Sequence, residues 1–351
     1  MKRKKLKIKT LIKFIVPAVI VLALGGYLVF GTPLFKGSKK DKPKDNKPDQ
    51  PKQVETVKIV DLKSKSRPFA VMINNISVAR PLQSGLQDAY IIYEMIVEGG
   101  ITRYLALFLD QNTERIGSIR SARHYYIDYA LENDAIYVHH GQSDQALADF
   151  NKGIVDRIVV DTGKTGWRDK SLNVSSEHTL FTSIEKLKNG IGSKRTERKG
   201  DLLLDYSVKP VDLASKEGAI PANKVSIRYS NATTSSYEYD AEAKVYKRFV
   251  NGKAHTDYVT KNQYTFKNII TYQVHNYNLN DGSGKGRQGL DNIGSGTGYF
   301  ITEGYAIPIT WEKSSRESQT IYKYTDGTEI KVNDGNTFIQ IQPKGETLVI
   351  E

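Results

Sequence analysis

The chain has 351 residues, of which 39% are hydrophobic and 26% charged, and it contains no cysteine. This composition excludes collagen-like, fully disordered and disulfide-stapled proteins, and the length allows two domains. The formal net charge is +12, but residues 1–13 hold seven basic residues and no acidic one, and residues 36–52 hold seven lysines against three aspartates. The rest of the chain is nearly neutral, which excludes a broad basic surface for nucleic acid.

The amino terminus carries the pattern of a membrane anchor. A basic tail, residues 1–10, precedes twenty apolar residues, 11–30, whose only charge is Lys13. A helix of that length spans about 30 Å, and the preceding positive charges favour an amino terminus inside the cell. We therefore predict a single-pass protein of the cell membrane. A cleaved signal peptide is the alternative, whereas lipid attachment of the usual bacterial kind would need a cysteine.

Residues 31–55 are rich in Lys, Pro and Asp. Such a segment buries too little apolar surface to offset its ordering entropy, so it predicts a disordered stalk. The body that follows is then expected outside the cytoplasm, held at the membrane by its own anchor.

Residues 56–205 predict a first domain of the α/β (α+β) class. A buried strand is expected at 68–74, and Gly99-Gly100 predicts a hairpin of two antiparallel strands, at about 89–97 and 101–109.

Helices alternate with strands further along this domain. A helix capped by Ser118 or Ser121 is expected first, then a strand over 135–140. Two more helices are predicted, one capped by Ser143 and one over 182–190. This alternation favours α/β over a sandwich.

Residues 206–222 predict a linker, and residues 223–351 predict a mostly antiparallel β domain. Its segments alternate apolar and polar residues, and turns such as Asn251-Gly252 and Asp326-Gly327 separate several of them. Tyrosine is frequent here. A tyrosine-rich face can stack sugars, but tyrosine is also simply a good strand former.

Polar side chains at the predicted element ends suggest an anion-binding cleft in the first domain. Arg120 and Arg123 are three residues apart, so a helix would place them on one face near its positive end. Arginine suits bidentate binding of phosphate or carboxylate. The alternative is a set of internal ion pairs that organise the loops. The candidate ligand-binding residues are Asn75, Arg80, Glu98, Arg103, Arg120, Arg123, His140, Arg168 and His178.

The motifs predict no metal site, no cofactor and no assignable catalytic residue. His139 and His140 would point to opposite faces of a strand, and the six histidines lack the spacing of a zinc site. The glycine-rich stretch 282–298 has no Ser or Thr after its Gly-Lys and precedes no predicted helix, so it is not a phosphate-binding P-loop.

Several motifs together resemble the YerB-like family, whose first domain was long catalogued as a domain of unknown function. The similar runs are RPFAVMINN (67–75), ARPLQSGL (79–86), residues 88–108 and 116–126, WRD (167–169), and the carboxyl-terminal stretches TWEK (310–313) and DGTEIKV (326–332). The resemblance implies a membrane-tethered or lipoprotein surface protein of Gram-positive-type bacteria, without an established activity. The family's Pro-His-Asn turn is Glu177-His178-Thr179 here, and the lipoprotein cysteine of some members is missing.

Two function hypotheses follow. The first is an envelope protein without catalytic activity that binds an anionic cell-wall polymer, a lipid-linked precursor or an envelope protein through the arginines. The second is an enzyme that acts on a polyprenyl (pyro)phosphate-type substrate in glycopolymer or peptidoglycan metabolism. It rests on the similarity of IGSIRSARHYY (116–126) to LytR–CpsA–Psr transferases, whose characteristic Asp is Ala122 here.

Overall fold

The central sheet is built from strands of both halves of the chain. The structure, a computed structural model, describes residues 56–351. The strands up to residue 207 are β1 Phe69–Asn74, β2 Ile91–Ile96, β3 Thr102–Phe108, β4 Ile116–Gly117, β5 Ile136–His139, β6 Arg157–Val159, β7 Trp167–Arg168, β8 Leu180–Thr182 and β9 Asp205–Ser207. The helices are α1 His124–Glu132, α2 Asp144–Asn151 and α3 Ile184–Gly190.

The remainder of the chain is almost entirely β-structure. Its strands are β10 Ile220–Pro221, β11 Lys224–Arg228, β12 Thr234–Asp240, β13 Val245–Val250, β14 Lys253–Ala254, β15 Thr265–Phe266, β16 Asn268–Val274, β17 Asn276–Asn278, β18 Gln288–Leu290, β19 Gly294–Thr302, β20 Tyr305–Lys313, β21 Ile321–Tyr324, β22 Lys331–Asn333, β23 Thr337–Pro343 and β24 Leu348–Ile350.

An eleven-stranded mixed sheet has the order β10-β20-β19-β16-β23-β2-β3-β1-β5-β6, with β21 added to β20. A six-stranded sheet has the order β14-β13-β12-β11-β24, with β15 added to β13. Strand β23, from the end of the chain, lies parallel to both β16 and β2. The two halves of the sequence are therefore joined through one sheet.

Burial explains the sequence patterns of the strands. All six residues of β1 are buried, as are all of β2 and β3, because the centre of the large sheet is covered on both faces. Strand β13 instead alternates, with Tyr246, Arg248 and Val250 on its buried side.

The predicted hairpin is confirmed: β2 and β3 are antiparallel, with Ile96 opposite Thr102. The connection Glu98–Gly100 is a tight turn in which Gly99 and Gly100 have φ of 67° and 71°. Side chains with a Cβ rarely adopt these values, so the Gly-Gly pair permits the turn.

The predicted start of the first helix is wrong. Helix α1 begins at His124 after the extended residue Arg123, and no side chain caps it. The preceding residues cannot be helical because β-bridges join Ile119 to Ile73 and Ala122 to Gln142. Neither Ser118 nor Ser121 is a cap. The predicted cap Ser143 is confirmed, since its Oγ accepts from the Ala146 amide at 3.2 Å.

A mixed α/β fold with few helices and many strands is confirmed for the described residues. The predicted anchor (11–30) and stalk (31–55) lie outside them. Among the helices that the structure does describe, none is both long enough and apolar enough to cross a membrane. The domain boundaries at 205 and 223 stay a prediction, because the described residues form one compact unit.

Candidate functional site

Most of the candidate arginines meet where β1 ends and β3 begins. Asn74 is paired with Arg103 across the sheet, so their side chains lie on the same face. The extended segment 118–123 crosses this edge: the Asn74 amide donates to the Ser118 carbonyl at 2.9 Å, and the Arg120 amide donates to the Met72 carbonyl at 3.0 Å. We call the group gathered here the arginine cluster. It comprises Arg103, Arg120, Arg123, Arg168, Glu98, Glu177, His140 and His178.

The inner part of the arginine cluster is a closed ion-pair group around Glu98. Arg123 binds its carboxylate in bidentate fashion, with Nε–Oε1 and Nη2–Oε2 distances of 2.5 and 2.7 Å. Arg103 lies 3.8 Å from the same carboxylate and donates to the Ser121 carbonyl at 2.5 Å. Burial alone would raise the pKa of Glu98, but the hydrogen bonds and charge of Arg123 outweigh it and lower that pKa. These arginines have an intramolecular partner, as the ion-pair alternative predicts.

Burial also lowers the pKa of Arg103. Its side chain is 6% exposed, and burial together with the charge of Arg123 lowers the pKa of its guanidinium to about 10. Its Nε has no hydrogen-bond partner within the described residues, and neither has the buried Oγ of Ser118. Unpartnered buried polar groups are costly, so both atoms leave hydrogen-bonding capacity unused inside the fold.

The outer part of the cluster is an exposed pair. Arg120 Nη2 lies 2.7 Å from Glu177 Oε2, and the side chains are 25% and 52% exposed. The hydrogen bond from Arg120 lowers the pKa of Glu177. An exposed pair of this kind contributes little to stability, so another anion can replace the Glu177 carboxylate at small cost.

His178 lies beside this pair, in contact with Glu177. Its Nδ1 lies 3.0 Å from Asn74 Nδ2, which donates, so the ring proton belongs on Nε2, 3.5 Å from Glu177 Oε1. Burial lowers the pKa of His178, which keeps the ring neutral near pH 7.

His140 and Arg168 extend the cluster along the next element. His140 Nδ1 donates to the Val160 carbonyl at 2.8 Å, which leaves Nε2 as an acceptor 3.4 Å from Arg168 Nη2. Arg168 also donates to the Ser176 carbonyl in the turn that carries Glu177. Arg168 therefore positions this turn as well as adding charge.

Charge and chemistry together favour anions. The cluster holds four arginines against two glutamates, so two positive charges exceed the internal partners. Guanidinium groups bind phosphate and carboxylate by paired hydrogen bonds. Among residues 56–351, no group of three or more His, Asp or Glu side chains is arranged to hold a metal ion.

Asn75 and Arg80 lie apart from the arginine cluster. Asn75 follows Asn74 along the strand, so it projects from the opposite face, where its Nδ2 donates to Thr102 Oγ1 at 2.7 Å. Arg80 donates to Asn75 Oδ1 and to the Asn75 carbonyl, both at 3.0 Å. These two residues belong to a second network, between the two sheets.

The second network centres on an ion pair that sequence reasoning missed. Glu94 and Arg248 are fully buried, 2.7 Å apart. Ser235 Oγ donates to Glu94 at 2.9 Å, and Arg248 Nη1 donates to His255 Nδ1 at 2.8 Å. A signal existed, because Arg248 stands at an inward position of an alternating strand between Tyr246 and Val250. Its partner, 154 residues away, could not be found by spacing.

Comparison with known proteins shows which protein family the chain matches. Residues 56–197 match the N-terminal domain, and residues 225–339 the C-terminal domain, of a protein family of unknown function named DUF3048. "Putative lipoprotein YerB" of Bacillus subtilis (strain 168) is 30% identical over 313 residues, which cover 86% of this chain and 89% of that protein.

The crystal structure of the YerB protein from Bacillus subtilis has the same fold. It superposes with a TM-score of 0.70 at 28% identity, over 83% of this chain and 98% of that chain. The sequence resemblance to the YerB-like family is thereby confirmed. The chain belongs to the DUF3048 family of YerB-like proteins.

Proposed function

We propose that the protein is an extracytoplasmic protein of the bacterial cell envelope, and that its arginine cluster binds an anionic cell-wall component or an anionic group of a partner protein. The observation that carries the proposal is the Arg120–Glu177 pair, an exposed ion pair at the outer edge of a cluster with excess positive charge.

Glu177 occupies the place that a ligand anion would take. Its carboxylate accepts one hydrogen bond from Arg120, and it lies in a single 3-10 turn, Ser176–His178, rather than in an α-helix or a strand. Phosphate presents three acceptor oxygens where a carboxylate presents two, so a phosphate ester or pyrophosphate could engage both Arg120 and Arg168. Arg103 and Arg123 would then act at longer range, because Glu98 already neutralises part of their charge.

The location is supported by the relative and by the sequence. The Bacillus subtilis protein carries the name "Putative lipoprotein YerB", and residues 11–30 of this chain have the length and apolarity of a membrane helix. We propose that this segment, followed by the stalk, holds the body outside the cytoplasm.

The enzymatic alternative stays a prediction. His178 is poorly placed as a general base, because its Nδ1 accepts from Asn74 and its Nε2 carries the proton. Release of phosphate from a polyprenyl pyrophosphate by the purified protein would favour the enzyme.

Binding can be tested by calorimetry on the full chain with inorganic pyrophosphate as the probe. We expect Arg120→Gln to weaken binding about tenfold, since it removes a charge-assisted contact worth roughly 1.4 kcal/mol. Glu177→Gln should strengthen binding several-fold, because it removes the competing carboxylate.

The matched control is Arg228→Gln. Arg228 is also paired with a glutamate, Glu346, at 2.6 Å, but in the six-stranded sheet. Its loss should leave pyrophosphate binding unchanged. Absence of binding to the unaltered protein, or equal binding by Arg120→Gln, would overturn the proposed site.

A further inference from the structure

A groove on the other half of the large sheet is independent of the arginine cluster. A cavity of about 670 Å³ adjoins one of about 310 Å³ over strands β16, β19, β20 and β21. Both are lined by Ser295, Gly296, Thr297 and Trp311. We call this continuous depression the sheet groove. Its size falls in the range of small-molecule sites.

Strand register defines which side chains share the groove face. Tyr299 pairs with Thr271 on β16 and with Pro308 on β20. Thr297 pairs with Thr310, which in turn pairs with Lys323. Directly opposed residues project from the same face of a sheet, so these rows lie side by side in the groove.

The lining is rich in hydroxyl groups. Ser295, Thr297 and Thr310 are exposed, so their hydroxyl groups are available to a ligand. The ring of Tyr299 is half-buried, so one part of it remains available to pack against a ligand. Hydroxyl groups beside an aromatic ring suit a sugar, which offers both hydroxyls and apolar C–H faces.

One buried polar atom on the groove face lacks a partner. The Thr271 side chain is fully buried, and its Oγ1 makes no hydrogen bond within the described residues. Thr271 is opposite Tyr299, so it belongs to the groove face. Its hydroxyl would gain from a ligand or bridging water that supplies the missing hydrogen bond.

Charges around the groove are balanced. At one end His275 Nδ1 lies 2.9 Å from Asp291, with Lys344 nearby, and at the other end are Glu312 and Lys323. No single sign dominates, unlike the arginine cluster, so an uncharged ligand fits better than an anion.

Backbone pairing argues against an extended peptide. Strands β16, β19 and β20 each have neighbours on both sides here, so their amide and carbonyl groups are already used. A peptide that adds a strand needs a free edge. Over β16, β19 and β20 the groove floor therefore offers side-chain hydroxyls rather than backbone groups.

We infer that the sheet groove is a binding site for an uncharged oligosaccharide. This goes beyond the proposed anion site and does not depend on it. An extracytoplasmic protein could use the groove to hold a glycan strand while the arginine cluster binds a separate anionic group.

The inference can be tested by saturation-transfer NMR and calorimetry on the full chain, with chitotetraose, cellotetraose and maltotetraose as probes. The protein should be kept in a zwitterionic detergent, because the sugar headgroup of a maltoside would compete. We expect binding of at least one tetrasaccharide at millimolar concentration. Thr297→Arg, which places a long charged side chain in the groove, should weaken it at least tenfold.

Two further variants keep the test specific. Tyr299→Leu retains an apolar side chain but removes the aromatic face, so affinity should fall several-fold with little loss of stability. Thr162→Arg makes the same change as Thr297→Arg at an exposed threonine of a loop, and binding should not change. The inference is overturned if none of the three sugars binds, or if Thr297→Arg binds as well as the unaltered protein.

Discussion

At the scale of single residues, two glutamates in one cluster have different roles. Glu98 is 17% exposed and held by Arg123 through two hydrogen bonds, whereas Glu177 is 52% exposed and held by one from Arg120. The first pair cannot open without leaving buried charge unpartnered, and the second can. Arg123 therefore stabilises the fold through Glu98, whereas Arg120 can exchange the Glu177 carboxylate for another anion.

Sequence reasoning found the residue types of the cluster but not their partners. The sequence points to Arg103, Arg120, Arg123 and His178 as polar residues at element ends. The predicted helix face for Arg120 and Arg123 is wrong, because residues 119–122 are extended and α1 begins at His124. The sequence groups Asn75 with the cluster residues because spacing along the chain does not show which face of the sheet each side chain takes. One residue of shift along a strand moves a side chain to the opposite face.

The buried Glu94–Arg248 pair gives the first stability prediction. Glu94→Gln leaves the guanidinium without its counter-charge in a fully buried site, so we expect a loss of roughly 3–5 kcal/mol in the free energy of unfolding. Denaturant titration of the full chain measures it. Arg228→Gln, at an exposed pair, should cost less than about 1 kcal/mol. Equal effects of the two substitutions would contradict the assignment.

Buried histidines give a pH prediction. Burial lowers the pKa of His139 to about 4, and burial together with Arg248 lowers the pKa of His255 well below its usual value. Arg157, whose Nη1 lies 3.4 Å from His139 Nε2, acts in the same direction. Below about pH 6.5 the unfolded chain therefore binds more protons than the folded chain, and stability falls as pH falls.

The expected slope is about 1.4 kcal/mol per pH unit for each such histidine, between about pH 6.5 and its lowered pKa. Unfolding titrations above about pH 5 avoid most carboxylate titration and would show it. His139→Gln should reduce this slope by the contribution of one histidine, about 1.4 kcal/mol per pH unit. A slope that is unchanged in this variant, or stability that rises on acidification, would count against the prediction.

At the scale of elements, the sequence pattern predicts those turns, strands and helices that residues close together along the chain determine. The Gly-Gly turn, the apolar strands β1 to β3 and the helix after Ser143 follow from residues close in sequence. The start of α1 does not follow from such residues. The β-bridges from Ile119 to Ile73 and from Ala122 to Gln142 hold residues 119–122 extended, and both partners are distant along the chain. Tertiary pairing there overrides the capping preference of Ser118 and Ser121.

Helix capping provides the element-scale prediction. Ser143→Ala removes the hydrogen bond to the Ala146 amide at the start of α2, so we expect a loss of about 1 kcal/mol in stability. Thermal or denaturant unfolding detects a change of this size. Ser121→Ala is the matched control, because Ser121 caps no helix, and its effect should be smaller. A larger loss from Ser121→Ala would refute the capping assignment.

At the scale of the whole molecule, the two sequence segments depend on each other. Strand β23 lies between β16 and β2, and Arg248 neutralises Glu94 from the other segment. Pairing of strands more than two hundred residues apart leaves no trace in a local pattern. The sequence therefore predicted the types of element in each segment, but not the single sheet that joins them.

This dependence predicts that the first segment does not fold alone. A fragment of residues 56–205 lacks β23 and Arg248, which exposes the edge of β2 and leaves Glu94 buried without its cation. We expect poorly dispersed amide NMR signals from the fragment, and one cooperative calorimetric transition from the full chain. A well-dispersed fragment spectrum would show instead that the segment is an autonomous domain.

The central claim, that the arginine cluster holds an anion, is tested most directly by native mass spectrometry of the full chain purified from a wall-bearing bacterial host. We predict an added mass that corresponds to a phosphate-bearing envelope component, present in the unaltered protein and in Arg228→Gln but lost in Arg120→Gln. A bare protein mass, or an adduct that survives undiminished in a folded Arg120→Gln protein, would contradict the account.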